Sequence, residues 1–227
     1  MLYFIGLDDT DTIESRGTGQ LARMLAVRLS SFGEISGVTR HQLLFDDRIA
    51  YTKNNSSAVI HLESNEPIDR LADRVQEWML AEFIEGSDPG LCLAGDVPPQ
   101  VIHFGWQAKR ELIRQEEARQ LAAGSGVSLS GLGGDGSGII GALAAVGLAA
   151  SGEDGRYIEL GNIRTLSGLQ PVEKILAAGV ARVITLQDEP IENGMVLIDK
   201  LRPSRRCSQP VAYVERMGDI WQALKID

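Results

Sequence analysis

The sequence predicts a mixed α/β (α+β) protein with a small β-rich region at its C-terminal end. Three observations predict this class. Short apolar and β-branched runs, such as residues 3–7 (YFIGL) and 58–62 (AVIHL), read as buried strands. Segments of helical period lie between such runs. Two stretches, one dense in Asp and one dense in Gly, interrupt them where a chain would turn.

The first strand runs directly into Asp8-Asp9-Thr10-Asp11, and Leu21, Met24, Leu25 and Leu29 then give helical spacing. Three carboxylates in four residues therefore occupy a strand-to-helix turn. Ligands of α/β sheets bind beyond the carboxyl ends of strands, and hard oxygens at this spacing suit Mg²⁺ with a phosphate-bearing substrate. The alternative is an Asx turn capping the next helix, for which one Asp suffices.

Residues 33–44 read as a strand leading to a polar connection, 45–57 (FDDRIAYTKNNSS). Such a loop is either surface or a binding loop, and Lys53, Asn54 and Asn55 are suited to a phosphate or ribose. Asn65-Glu66-Pro67 opens a helix with Ile68, Leu71, Ala72, Val75, Met79 and Phe83 on one stripe. Ser87-Asp88-Pro89-Gly90 is a turn, 91–94 and 101–104 read as short strands, and 107–122 as one largely exposed helix.

The second concentration of chemical information is 131–147 (GLGGDGSGIIGALAAVG), where five glycines in eight residues precede a small-residue helix at 139–150. Glycine admits a ligand close to the backbone, and a helix N-terminus offers unpaired N–H groups to an anion. Gly133, Gly134, Gly136, Ser137 and Gly138 are the candidate phosphate cradle. No Gly-Lys-Ser/Thr ends the loop, so it is not a Walker A motif, and a cation has to come from elsewhere, such as Lys53. Gly131, Gly133 and Gly136 also match GxGxxG, which leaves a dinucleotide site open, as does a plain linker before a packed helix. Farther on, 157–160, 182–186, 195–198 and 211–214 read as strands and 171–178 as a helix, with Lys200, Arg202, Arg205 and Arg206 forming a solvated basic surface.

With 44% hydrophobic and 23% charged residues, the composition is that of an ordinary globular protein. No apolar run approaches the ~20 residues of a membrane span, and no basic leader precedes the first strand, so a cytoplasmic location is expected. The net charge of −9 argues against nucleic acid as a general partner. Cys92 and Cys207 are isolated, are expected to be reduced, and cannot by themselves form a four-ligand zinc site.

The motifs IGLDDTD (5–11), SDPG (87–90) and GSGIIGALAAVG (136–147), in that order, resemble those of the archaeal tRNA(Ile) agmatinylcytidine synthetase family. The resemblance covers about residues 1–165. It implies a kinase-like ATP-binding domain (1–62 and 105–165), an adjoining ferredoxin-like α/β unit (63–104), and a β-rich lobe (166–227) outside it. It further implies that Asp8, Asp9, Asp11 and Thr18 form the catalytic set. In it Asp8 and Asp11 hold Mg²⁺, Asp9 assists, and Thr18 is phosphorylated or handles a phosphoryl group. The glycine loop, Lys53, Asn54 and Asn55 then bind ATP. Gly17 and Gly19 flank Thr18 where the family has Cys and Thr, residues 52–55 read TKNN in place of TRGN, and cysteines for the family's zinc ribbon are missing. These departures and the charge lead to an expected Mg²⁺- and ATP-dependent phosphoryl-transfer enzyme acting on a small molecule. A tRNA substrate is disfavoured without being excluded, and a homo-oligomer is left open. A non-catalytic nucleotide-binding module and a dinucleotide enzyme using Gly131–Gly136 are the competing expectations.

Overall fold

In the computed structural model, which describes residues 1–49 and 54–226, the chain divides into two units, Met1–Ser151 and Gly152–Asp227. The boundaries expected from sequence fall instead at 62, 104 and 165. Among the described residues no helix is long and apolar enough to cross a membrane.

The first unit is built on β1 (Leu2–Asp8), whose five central residues are buried. It pairs antiparallel with β3 (Ser56–Glu63) on one side and β4 (Gly90–Ala94) on the other. Strands β2 (Glu34–Gln42) and β5 (Ser128–Gly131) extend the sheet antiparallel at its two ends, giving the order β5-β4-β1-β3-β2. Residues 63–104 thus contribute a strand to the same sheet as β1.

Side chains alternate between the two faces of a strand. Phe4, Val59, Cys92 and Ala94 join one cluster with helix α5 (Gly138–Ser151). Ile5, Leu7, Ile60, Leu62, Leu91 and Leu93, all at most 2% exposed, belong to the other face, where α1 (Thr18–Leu29) and α2 (Ile68–Ala81) contact the strands. Helix α5 is apolar all round, with eleven of its fourteen residues buried. A helix of that kind must be covered on every side, and α3 (Pro99–Ala108) and α4 (Gln115–Ser125) cover it opposite the sheet.

Two expectations are corrected here. Residues 101–104 are not a strand but part of α3, which Pro99 opens and whose buried Val101, Phe104, Gly105 and Ala108 follow helical spacing. A four-residue apolar window is too short to show that period. Residues 107–122 are not one helix: α3 ends at Ala108, and α4 begins at Gln115, where the Arg114 amide donates to the Glu117 carboxylate. The connection between them proves important to the cavity described below.

The second unit contains β6 (Arg156–Glu159), β7 (Gly168–Pro171), α6 (Val172–Ala177), β8 (Arg182–Ile184), β9 (Met195–Ile198), β10 (Ser204–Arg206), β11 (Gln209–Met217) and β12 (Ile220–Ala223). Strand β11 pairs with β10 and β12 antiparallel and with β8 parallel, while β9 joins β12 to β7. Tyr157, Val172, Ile175, Val183, Val196, Ile198 and Val214 form its core. The basic cluster is not the solvated surface expected: Arg202 and Arg205 are buried, and Arg205 donates to Tyr157 Oη and the Ser208 carbonyl. A hydrogen-bonded guanidinium satisfies enough of its donors to tolerate burial.

The contact between α3 and α5 is backbone against backbone. A Cβ on Gly147 would overlap the Val101 carbonyl, and one on Gly105 would lie 2.7 Å from the Ala144 carbonyl oxygen. Neither neighbour is a flexible side chain, so Gly147→Ala should destabilise the protein by about 1–3 kcal/mol, measured as a lowered urea midpoint with an unchanged slope.

Candidate functional site

Strand β1 ends at Asp8, and the next residue, Asp9, has φ of 49°, a left-handed conformation that Asp tolerates better than most residues. This turn directs Asp8, Asp9 and Asp11 to a cavity of about 390 Å³. Thr18, Asn54, Asn55, Ser56, Asp88, Asp135, Ser137, Gly138 and Gly141 also line it. The acid turn and the glycine loop therefore meet, although 128 positions separate Asp9 from Ser137, whose Oγ lies 3.5 Å from Asp9 Oδ2.

Asp8 retains a little exposed surface toward the cavity, yet protein surrounds it. Burial, and then the neighbouring Asp9 charge, push its carboxyl up to about 7. A Cβ on Gly141 would overlap Asp8 Oδ2, so the carboxylate occupies the space a side chain would take on α5. Ser57 Oγ, buried beside Asp8, offsets the shift in part while making no well-aligned hydrogen bond among the described residues. Asp9 is pushed up to about 6 by burial, then by Asp88 and Asp11.

Asp11 and Thr18 form a separate arrangement at the head of α1. Thr18 Oγ1 donates to Asp11 Oδ1 at 2.7 Å and accepts from Thr10 Oγ1 at 3.1 Å, while the Thr18 amide donates to the same Asp11 oxygen. The N-cap position belongs to Gly17, so the Thr18 hydroxyl is not a helix cap. It is 6% exposed and lines the cavity.

The glycine loop is partly committed to its own structure. The Asp135 amide donates to Asp88 Oδ1, Ser137 N to Asp135 Oδ1, Gly138 N to the Asp88 carbonyl and Ile139 N to the Gly136 carbonyl. The N–H groups of Gly133, Gly134 and Gly136 make no hydrogen bond among the described residues. Gly133 lies against Phe83 and Pro89 and Gly134 against Asp88, whereas Ser137 and Gly138 reach the cavity wall. Strand β5 does lead into Gly131, but it is antiparallel to β4. The glycine match therefore lacks the parallel βαβ unit of a dinucleotide site.

Asn55 donates its side-chain amide to the Leu44 carbonyl and fastens the end of the 45–57 loop, while Asn54 remains on the cavity wall. Lys53 lies outside the described residues. The sequence reading missed the apolar side of the cavity: Leu43, Ile49, Leu112, Ile113 and Ile140, with Glu111 among them. Treating 107–122 as one exposed helix hid the α3–α4 connection that supplies three of these residues.

Among the described residues no three His, Cys, Asp or Glu side chains are grouped as metal ligands. Mg²⁺ is commonly held by one or two carboxylates together with substrate phosphates and water. The crowded, mutually repelling Asp8 and Asp9 fit that mode, because a divalent cation beside them relieves their repulsion.

The raised carboxyl values set the sign of a pH effect. Asp8 and Asp9 hold protons more tightly folded than unfolded, so stability should fall as pH rises from about 4 to about 7. Thermal melts of ligand-free protein should show this slope. Asp8→Asn should flatten it and raise stability at pH 7.5 by on the order of 2 kcal/mol.

No family model matches the sequence. The chain is 32% identical over 154 residues to a 2-agmatinylcytidine synthetase of isoleucine tRNA from Pyrococcus horikoshii, covering 65% of this chain and 36% of that protein. Among solved structures it resembles a tRNA fluorescent labeling enzyme, with TM-score 0.58, 26% identity and coverage of 65% of this chain and 36% of the other. It shares its fold with the enzyme TiaS in a complex with isoleucine tRNA and ATP, at TM-score 0.57 and 24% identity, covering 65% of this chain and 36% of that one. The chain thus spans about a third of the length of these relatives. They overturn the argument against tRNA, since enzymes similar to this chain are named for tRNA. Net charge was the wrong guide because it sums over the whole chain: Gly152–Asp227 carries 11 acids and 10 bases, so nearly all the excess lies in Met1–Ser151, where the cavity's own carboxylates contribute. About two thirds of the chain is similar to part of the isoleucine tRNA agmatinylcytidine synthetases, as its motifs suggest.

Proposed function

We propose that Met1–Ser151 is an ATP-binding, phosphoryl-handling unit of an enzyme that modifies tRNA. One observation carries this reading: the acid turn after β1 and the N-terminus of α5 open into the same cavity. At about 390 Å³ it is within the usual size of ligand sites. The similarity to a protein named for isoleucine tRNA, and the fold shared with one seen with tRNA and ATP, support this choice of nucleotide and substrate class.

In this reading Asp8 and Asp9 are the residues that would hold Mg²⁺, which supplies charge neutralisation for the phosphates when bound. The positive end of the α5 dipole, with the Ser137 hydroxyl beside it on the cavity wall, attracts the phosphate oxygens. Leu43, Ile49, Leu112, Ile113 and Ile140 offer an apolar wall for the base. Asp11 orients the Thr18 hydroxyl and can accept its proton as the oxygen attacks the γ-phosphorus of ATP and the bond to the bridging oxygen breaks, so that ADP leaves and Thr18 carries the phosphoryl group. Catalysis of this kind rests on positioning and electrostatics. A non-catalytic module with the same cavity would bind ATP and leave it intact.

Titration calorimetry with Mg·ATP should show binding by the wild type, with Asp8→Asn and Asp9→Asn each weakening it by about tenfold or more. Thr18→Val should bind within about threefold of wild type yet fail to gain the ~80 Da of a phosphate that intact-mass analysis finds on wild type after ATP and tRNA are added. Wild-type protein that binds no ATP, or that binds it identically with Asp8 and Asp9 neutralised, refutes the assignment.

A further inference from the structure

The SDPG turn reads in sequence only as a turn, but Asp88 within it touches both halves of the cavity. Its amide donates to the Asp9 carbonyl at 3.1 Å, and its carbonyl accepts the Gly138 amide at 3.1 Å at the start of α5. The adjacent Pro89 carbonyl accepts Leu132 N at 2.8 Å. The backbone of this turn is thus stitched to the acid turn on one side and to both ends of the glycine loop on the other.

The side chain adds a contact of a different kind. Asp88 Oδ1 accepts the Asp135 amide at 2.5 Å, in the middle of the loop. At Gly134, where φ is 56°, a Cβ would overlap that same oxygen. The carboxylate therefore sits in a socket that only glycine leaves open, and the two residues exclude any larger neighbour. An Asp at a turn needs no such socket to satisfy itself, because water serves an exposed carboxylate as well. What the socket accomplishes is to fix the curvature of the loop between Gly133 and Gly138.

We propose that Asp88 is a positioning residue: its carboxylate, seated against Gly134 and bonded to the Asp135 amide, holds the glycine loop in the shape that places Ser137 and Gly138, at the start of α5, on the wall of the cavity. The proposal deepens the ATP reading and rests on it for the identity of the ligand. The role belongs to an acceptor oxygen at this place, so Asn can perform it and Ala cannot. Gly134 is the other half of the same device: adding a methyl group there expels Asp88 without altering Asp88 itself.

Hydrogen–deuterium exchange on the ligand-free protein tests the device without reference to any nucleotide. In peptides spanning residues 131–138, Asp88→Ala and Gly134→Ala should exchange about tenfold faster than wild type, while Asp88→Asn stays within about threefold. The double variant Asp88→Ala/Gly134→Ala should be no faster than either single variant, since both remove one contact. In parallel, Mg·ATP affinity should fall about tenfold in the Ala variants and be retained in Asp88→Asn, with melting temperatures of Asp88→Asn and wild type alike. Should Asp88→Ala fail to fold, Gly134→Ala, an exposed position, carries the test alone. Wild-type exchange in both Ala variants, or Asp88→Asn as fast as Asp88→Ala, overturns the proposal. If wild-type protein binds no ATP, the nucleotide reading falls while the exchange data still decide the role of Asp88.

Discussion

The cavity depends on how closely the backbone of α5 approaches its neighbours. Gly138 lies against the Asp88–Gly90 turn, Gly141 against the Asp8 carboxylate, and Gly147 against the backbone of α3. Interiors packed at this density do not yield by sliding, so the N-terminus of α5 is fixed relative to the end of β1. The sheet reaches the same result from below: β4 sits beside β1, and its first residue, Gly90, is in register with Asp8. Helix, strand and turn thus locate one another largely through close backbone approaches.

Against this rigid frame the carboxylates are an energetic liability. Asp8 gives up water and faces a like charge in Asp9, and Asp9 faces Asp88 and Asp11 in turn. A fold organised for stability alone would place apolar groups here, because like charges out of water oppose folding. The cost is borne by the apolar interior around α5, and protonation or a positive charge brought beside the carboxylates would relieve the repulsion. Asp11 belongs to that repulsive group and at the same time accepts a short hydrogen bond from Thr18. The cavity thus sets an oriented hydroxyl beside crowded carboxylates.

Much of this was legible in the sequence because it was local. The acids at the end of β1, the period of α1 and α2, and the glycine-rich entry to α5 are written in consecutive residues. What stayed hidden required tertiary information. Residues 101–104 looked like a strand because four apolar positions do not reveal a period, and only the packing of Gly105 and Ala108 on α5 places them in a helix. The apolar cavity wall went unseen because residues 107–122 read as one helix, with Leu112 on its apolar face, when Leu112 and Ile113 belong to a connection. Asp88 read as turn chemistry because its partners, Asp9 and Asp135, are remote in sequence. The buried guanidiniums Arg202 and Arg205 carried no local sign of burial, and the sum of charges said nothing of where those charges lie.

The separation of Asp9 from Ser137 also bears on the history of each molecule as it is made. The acids are synthesised well before their counterpart on α5, which emerges only after more than a hundred further residues. Strand β1 gains β3 and then β4 as the chain lengthens, but until α5 is made no helix covers its Phe4 face, and these pairings close long loops before they return any stability. The growing chain therefore passes through much of its synthesis with a hydrophobic first strand exposed and with no cavity at all. The cluster of charge at residues 8–11 directly follows that strand, where repulsion between chains discourages it from pairing with a copy of itself. The residues that line the finished cavity thus also follow directly on a strand that waits for its covering helix.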